Sequence, residues 1–296
     1  MRAFAAFVGV IVLAGLVGAA LAYPAYLLSS AIAPWPFHRV AGRVAMLVLA
    51  LALVGLCRRL RLTTRADLGY GLPRRRFLRV TALWAAAGIA TAGLGAAFLL
   101  RSGLRVPDPG FVWTPGAALH VLFLGLTSAA AVALLEETVM RGAMHTAVER
   151  ESGLLAAVLL VAPLFALLHF FAKVRIPTQE LGFGSGFTLL ARSFAPLAHP
   201  ALVLDAFLSW LAVGLLLGLT RALTGNIAAA IGLHAGWVLV LRLLQETTVS
   251  GASPAFSMWV GRFDGLLGYW LLPWAAGIGA AIWFGRRRWA PYARGD

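Results

Sequence analysis

Two adjacent carboxylates and an arginine interrupt an apolar run at Leu134 to Gly142, which reads Leu-Leu-Glu136-Glu137-Thr-Val-Met-Arg141-Gly. An ionisable side chain at the centre of a membrane helix costs roughly 2.5 to 3.5 kcal/mol, so such residues face a protein interior and mark function. On an α-helix Glu136 and Glu137 point about 100° apart, whereas Glu137 and Arg141 share a face. The spacing divides the labour. Arg141 compensates Glu137, and Glu136 is left to aim into a cavity as a general base or acid. A carboxylate taken out of water holds its proton more tightly, as a base working near neutral pH requires. The competing reading is a buried Glu-Arg clamp with a structural role alone.

Two of the six histidines, His169 and His234, fall well inside apolar runs. Glu136 and His169 are separated by 33 residues, with the polar tip Glu149-Arg-Glu-Ser-Gly153 near the middle. A helical hairpin would bring the two side chains to similar depth. A carboxylate and two imidazoles on separate helices suit acid-base chemistry on water. They equally suit a metal centre in which Glu136, His169 and His234 leave a position open for water. No His-Glu-x-x-His spacing is present, and Glu137 and Arg141 give the carboxylate non-metal surroundings. Metal-free glutamate catalysis is therefore favoured, with zinc or another divalent metal as the alternative. His145, four residues past Arg141, either extends the polar cluster or is solvated at the hairpin, and solvation is the expectation. Cys57, the single cysteine, excludes an intrachain disulfide and has no histidine near it in sequence.

The elements that must position these residues are membrane helices. Of 296 residues, 61% are hydrophobic and 12% charged, and the mean hydropathy is +0.86. An all-α, polytopic membrane bundle is expected, with about eight transmembrane helices. The apolar runs lie near Ala3 to Leu28, Val44 to Cys57, Val80 to Leu100, Ala117 to Leu135, Leu154 to Phe171, Ala201 to Leu219, Ile227 to Leu244 and Tyr269 to Phe284. The first reads as an uncleaved anchor, since it outlasts a signal-peptide core. The second extends backward through Val40 and Ala41. Gly88, Gly93, Gly95, Gly214 and Gly218 read as close-packing positions. Trp35, Trp113, Trp259, Trp270 and Trp289 sit near run ends, as interfacial anchors do.

The net charge of +14 comes from arginines gathered between apolar runs, eight of them from Arg58 to Arg79. They read as topology signals and lipid-headgroup contacts rather than nucleic-acid contacts. The positive-inside rule then places both termini, including Arg286, Arg287, Arg288 and Arg294, on the cytoplasmic side of a cell (inner) membrane. One transmembrane domain over 1–296 is expected, with a core at 117–244 and additional helices in 1–116. The connection from Ala172 to Pro200, with Lys173, Arg175, Glu180 and Gly182-Phe-Gly-Ser-Gly186, is either a lid or a solvated connector. Asp205 reads as a helix-start or interfacial residue.

In order and setting, Glu136-Glu-x-x-x-Arg141, Phe165-x-x-x-His169 and His234 resemble the motifs of the CAAX-protease and bacteriocin-processing (CPBP, or Abi) family of intramembrane proteases. The resemblance covers roughly Ala117 to Leu244. It implies that Glu136 activates the attacking water and that His169 helps bind it. It also implies that Glu137 and Arg141 support the site, and that His234 polarises the scissile carbonyl. Many members of the family are called metalloproteases. Peptide hydrolysis needs a base for water, a donor for the oxyanion and a proton for the leaving amine, and these groups can supply all three.

The family's last motif usually continues from histidine to Asn or Asp four residues later, where this chain has Val238. Losing an oxyanion donor costs about 2.7 to 4 kcal/mol of transition-state stabilisation. Trp237 is a substitute donor or, as expected, a packing residue, and Asn226 lies too far along the chain to serve. The expected activity is endopeptidase cleavage of a membrane-associated or lipidated protein or peptide within the bilayer, with no nucleic-acid partner. The alternative is a weak or inactive scaffold or immunity protein of the same family. A proton-coupled transporter fits less well, because no inverted repeat is visible.

Overall fold

The computed structural model covers residues 1–296 and describes all of them except 31, 34, 171–173, 252–258, 262, 264 and 287–296. Phe171, Ala172, Lys173, Trp289, Arg287, Arg288 and Arg294 therefore lie outside the described residues. The chain is a multi-pass helical membrane protein. Among the described residues, six helical stretches are long and apolar enough to cross a membrane: Arg2–Ser30, Phe37–Arg59, Arg74–Arg101, Pro115–Ser152, Pro200–Thr224 and Ala228–Thr247. The other two expected spans are present as shorter apolar helices, Leu154–Leu167 and Leu271–Phe284, of 14 residues each.

In chain order the helices are α1 (Arg2–Ser30), α2 (Phe37–Arg59), α3 (Arg74–Arg101) and α4 (Pro115–Glu137). A π-helical segment (Thr138–Met144) then leads directly into α5 (His145–Ser152). They are followed by α6 (Leu154–Leu167), α7 (Ser185–Ser193), α8 (Pro200–Thr224), α9 (Ala228–Thr247) and α10 (Leu271–Phe284). The chain forms two compact units, one of residues 1–63 with 167–203 and one of residues 64–166 with 204–296.

In the first unit α1 packs against α2 and α7. Gly186 of α7 allows the second contact, since a Cβ there would run into the Ala19 carbonyl oxygen. The connection before Pro200 is no bare loop in its described part: it carries 3₁₀ turns at Thr178–Glu180 and Ala195–Ala198 on either side of α7.

In the second unit α9 lies against both α3 and α4. Its contact with α3 is backbone on backbone: a Cβ on Gly232 would clash with the Thr81 carbonyl oxygen, and one on Gly88 of α3 with that of Leu233. Gly95, Gly214 and Gly218 also face neighbours closely, but Gly93 has open space beside it, so the packing expectation fails there. A two-stranded antiparallel ladder, β1 (Arg105–Pro107) with β2 (Thr248–Ser250), joins the ends of α3 and α9, and Arg105 Nε donates to Thr248 Oγ1 at 3.0 Å.

Several boundaries differ from expectation. The fourth helical stretch runs on to Ser152, because the π segment carries the backbone ladder through Glu136 to Arg141 without a break. The hairpin turns where expected, at Gly153 with φ of +85°, a left-handed value that favours glycine. The following helix stops at Leu167, four residues after an internal Pro163, so His169 lies in a turn and not inside a span. Trp35, Trp113 and Trp259 are exposed as anchors are, whereas Trp270 is buried and donates its indole N–H to Leu266 O.

Candidate functional site

The last turn of α4 and the π segment place Glu137 and Arg141 wholly inside the second unit, at 0% and 1% exposure. Arg141 Nη1 donates to Glu137 Oε1 at 3.0 Å, and His234 Nδ1, from α9, sits 2.9 Å from the same oxygen. A carboxylate paired with arginine can only accept, so Nδ1 carries the proton and Nε2 is turned away from Glu137. The expected Glu137-Arg141 pair is thus present, and it also holds the histidine. Glu136 is half-buried on the neighbouring face, within electrostatic reach of His234, Glu137 and Arg141.

Arg141 is held on three further sides. Its Nη2 donates to the Gly214 carbonyl of α8 at 3.2 Å, and its guanidinium lies 4.2 Å from the centre of the Phe165 ring of α6. Phe165 meets His234 edge-on at 6.1 Å and Trp210 at the same distance, so one phenyl ring forms a floor under both the arginine and the histidine. The backbone carbonyl of Arg141 accepts from Arg221 Nε of α8 at 3.2 Å. The last contact falls within the π segment. A π turn reaches one residue further per hydrogen bond than an α turn, which disturbs the regular ladder, and a neighbouring donor can meet a carbonyl there.

Gly142 lets the chain at Leu68 pack closely against the π segment. A Cβ on it would lie 2.6 Å from the Leu68 carbonyl oxygen, which is backbone and cannot swing aside. Gly142→Ala is expected to cost about 1 to 3 kcal/mol through overpacking, read as a lower midpoint in thermal unfolding of the purified protein.

His145 departs from the sequence expectation: it is 1% exposed rather than solvated, with Nε2 at 3.7 Å from Glu149 Oε2. The cause is its place as the first residue past the π segment, on the inner face. Trp237 donates Nε1-H to Thr91 Oγ1 of α3 at 3.0 Å, so its donor is committed to helix packing. Asn226 caps the start of α9 by accepting from Ala228 N at 3.0 Å. His169 is half-buried in the turn after α6 and belongs to the first unit.

His234 lines an apolar cavity of about 60 Å³ together with Trp210, Val213, Trp237, Val238 and Leu241. Val238, one turn beyond His234, is therefore part of its wall. Among the described residues, no three His, Cys, Asp or Glu side chains converge as metal ligands. Sequence reasoning missed Phe165 as a floor, Arg221, the Gly214 carbonyl and the π geometry. Phe165 stood in the quoted motif and Gly214 among the packing glycines without these roles, and Arg221 carried a signal as a charge inside α8.

Residues 118–240 match the family model described as type II CAAX prenyl endopeptidase, Rce1-like. No curated protein and no solved structure matches the chain.

Proposed function

With residues 118–240 supporting a place in the CAAX-protease family, we propose that the chain is an intramembrane endopeptidase that hydrolyses a peptide bond of a membrane-associated, lipidated protein or peptide. The observation that carries this reading is the buried grouping of Glu137, Arg141 and His234 beside Glu136. Glu136 takes the proton of the attacking water. The family motif assigns a water-holding role to the position of His169. His234 presents Nε2 to the scissile carbonyl while Glu137 fixes the other side of its ring. When His234 carries a second proton, on Nε2, that N–H donates to the oxyanion. Glu136 returns its proton to the leaving amine, which completes the cycle.

The residues named here supply these steps without a metal. The substrate end of the proposal rests on the family's description, so the first probe is an internally quenched peptide bearing a prenylated CAAX tail. Purified protein in liposomes is expected to cleave it, and excess EDTA or 1,10-phenanthroline is expected to leave the rate unchanged. Stoichiometric zinc lost together with activity would overturn the metal-free version.

A second reading has one observation in its favour. Val238 gives the cavity beside His234 an apolar wall where the family has a polar side chain, and Trp237 is committed to Thr91. A weak or inactive scaffold or immunity protein would show no cleavage of the prenylated peptide at any enzyme concentration. From the arginine distribution we also place both termini on the cytoplasmic side, which reactivity of a single cysteine introduced after Arg2 would test.

A further inference from the structure

Residues 64–71 form a short strap between α2 and α3 that touches the site's scaffold at four places. The strap is internally fixed: Thr64 N donates to Asp67 Oδ2 at 2.8 Å, Asp67 N donates back to Thr64 Oγ1 at 3.1 Å, and Tyr70 N closes a turn on Arg65 O at 2.8 Å. The backbone N–H of Thr64, its hydroxyl and Arg150 hold the Asp67 carboxyl down to about 2, so this turn stays charged and intact across the working pH range.

Its outward contacts run to both helices that build the site. Asp67 pairs with Arg150 at the end of α5. The Leu68 carbonyl fills the notch left by Gly142 in the π segment. Gly69, at φ of +80°, turns its carbonyl to accept from Ile227 N at 3.1 Å, at the head of α9. Tyr70 places its hydroxyl 2.6 Å from Thr138 Oγ1, the first residue of the π segment and the neighbour of Glu137. Because Thr138 Oγ1 itself donates to the Leu134 carbonyl, the phenol is the donor in this pair.

We propose that this strap is a positioning device for the peptidase site, and that Tyr70 is its principal positioning residue. Thr138 marks the change from α to π geometry, and a π turn shifts the residues after it by roughly one position, about 100° of rotation. The phenol pins that change at Thr138. Gly69 pins Ile227, which lies seven residues, two turns, before His234 on the same face of α9. The strap therefore sets both sides of the 2.9 Å contact between Glu137 and His234. Tyr70 touches neither Glu137 nor His234 itself in this arrangement, so its effect passes through Thr138.

This inference rests on the endopeptidase reading for its kinetic consequence but not for its geometric one, and the experiment keeps the two apart. Tyr70→Phe, Thr138→Val, Thr138→Ser and the Tyr70→Phe/Thr138→Val double variant are compared with the parent protein in liposomes. The readouts are kcat and KM on the quenched prenylated peptide, thermal stability, and the ¹⁵N-histidine NMR signals of His234. Tyr70→Phe is expected to lower kcat about 10- to 100-fold with KM within about twofold, as small misplacement of reacting groups does. The double variant is expected to be no worse than the poorer single variant, because both remove one contact. Thr138→Ser, which keeps the hydroxyl, is expected to retain activity where Thr138→Val loses it. The His234 signals should move in Tyr70→Phe without loss of folded protein.

Unchanged kcat and unchanged His234 signals in Tyr70→Phe would overturn the proposal. So would a fall in kcat that tracks lost thermal stability while the His234 signals of the folded fraction stay in place. If the parent protein cleaves nothing yet the His234 signals move in Tyr70→Phe, the positioning role stands and the endopeptidase reading falls.

Discussion

Glu136→Gln is expected to insert and fold normally yet cleave the quenched prenylated peptide about 10²- to 10⁴-fold more slowly, the usual contribution of a positioned general base. The expectation follows from its surroundings. Glu136 is half-buried and lies near a network whose internal hydrogen bonds are made by its neighbour, so an isosteric amide leaves the Glu137-Arg141-His234 contacts intact. The loss should fall on kcat, with KM little changed, since an interaction made only in the transition state is removed. Thermal unfolding should match that of the parent protein. Retention of cleavage would exclude Glu136 as the base. Comparison of membrane-protein termini in cells with the parent or the Glu136→Gln protein would, in the same step, identify natural substrates.

Glu137→Gln is expected to act in the opposite way, on stability first. Arg141 is 1% exposed, and Glu137 Oε1 is the acceptor for both its Nη1 and His234 Nδ1. Removing the carboxylate takes away the direct ion-pair partner of a buried arginine, and breaking a buried pair from one side costs about 3 to 5 kcal/mol. The protein should show a sharply lower unfolding midpoint in detergent and poor recovery from the membrane. Replacing both partners, as Glu137→Leu with Arg141→Met, should restore most of that stability, since apolar pairs of similar volume often replace buried ion pairs without loss. The double variant should still be inactive, because His234 has lost the group that orients it. A stable but inactive Glu137→Gln single variant would contradict this division of roles and move the base assignment toward Glu137.

The contrast between these two neighbours shows what could be read from the sequence. Glu136, Glu137, Arg141 and His234 stood out because charge in hydrocarbon is costly, and the spacing of Glu137 to Arg141 correctly paired those two. The tie from His234 to Glu137 was not legible: α4 and α9 are far apart in sequence, and nothing in either run specifies which carboxylate the imidazole meets. The π segment was equally hidden. Widening a helix by one residue per turn leaves no mark in composition, and Gly142 looked like an ordinary small residue until the Leu68 carbonyl was seen against it. Tyr70 was hidden for a different reason, since it stands in an arginine-rich stretch that reads as a topology signal. The eight apolar runs were legible as elements, but Leu154 to Phe171 overran its helix because the turn after Leu167 is as apolar as the helix before it.

The short reach of α6 and α10 has a consequence for the surrounding lipid. Fourteen helical residues extend about 21 Å, well under a hydrocarbon core of about 30 Å. A bilayer can accommodate such short helices by thinning locally. Phe165, under Arg141 and His234, is carried by α6, and Trp270 and Leu271 at the start of α10 line the cavity beside His234. Hydrolysis consumes water, and a dimpled membrane shortens the distance that water must travel to reach this depth. Under the endopeptidase reading, acyl-chain length in the host bilayer is then expected to alter turnover, through the length of two helices rather than through any residue that contacts substrate.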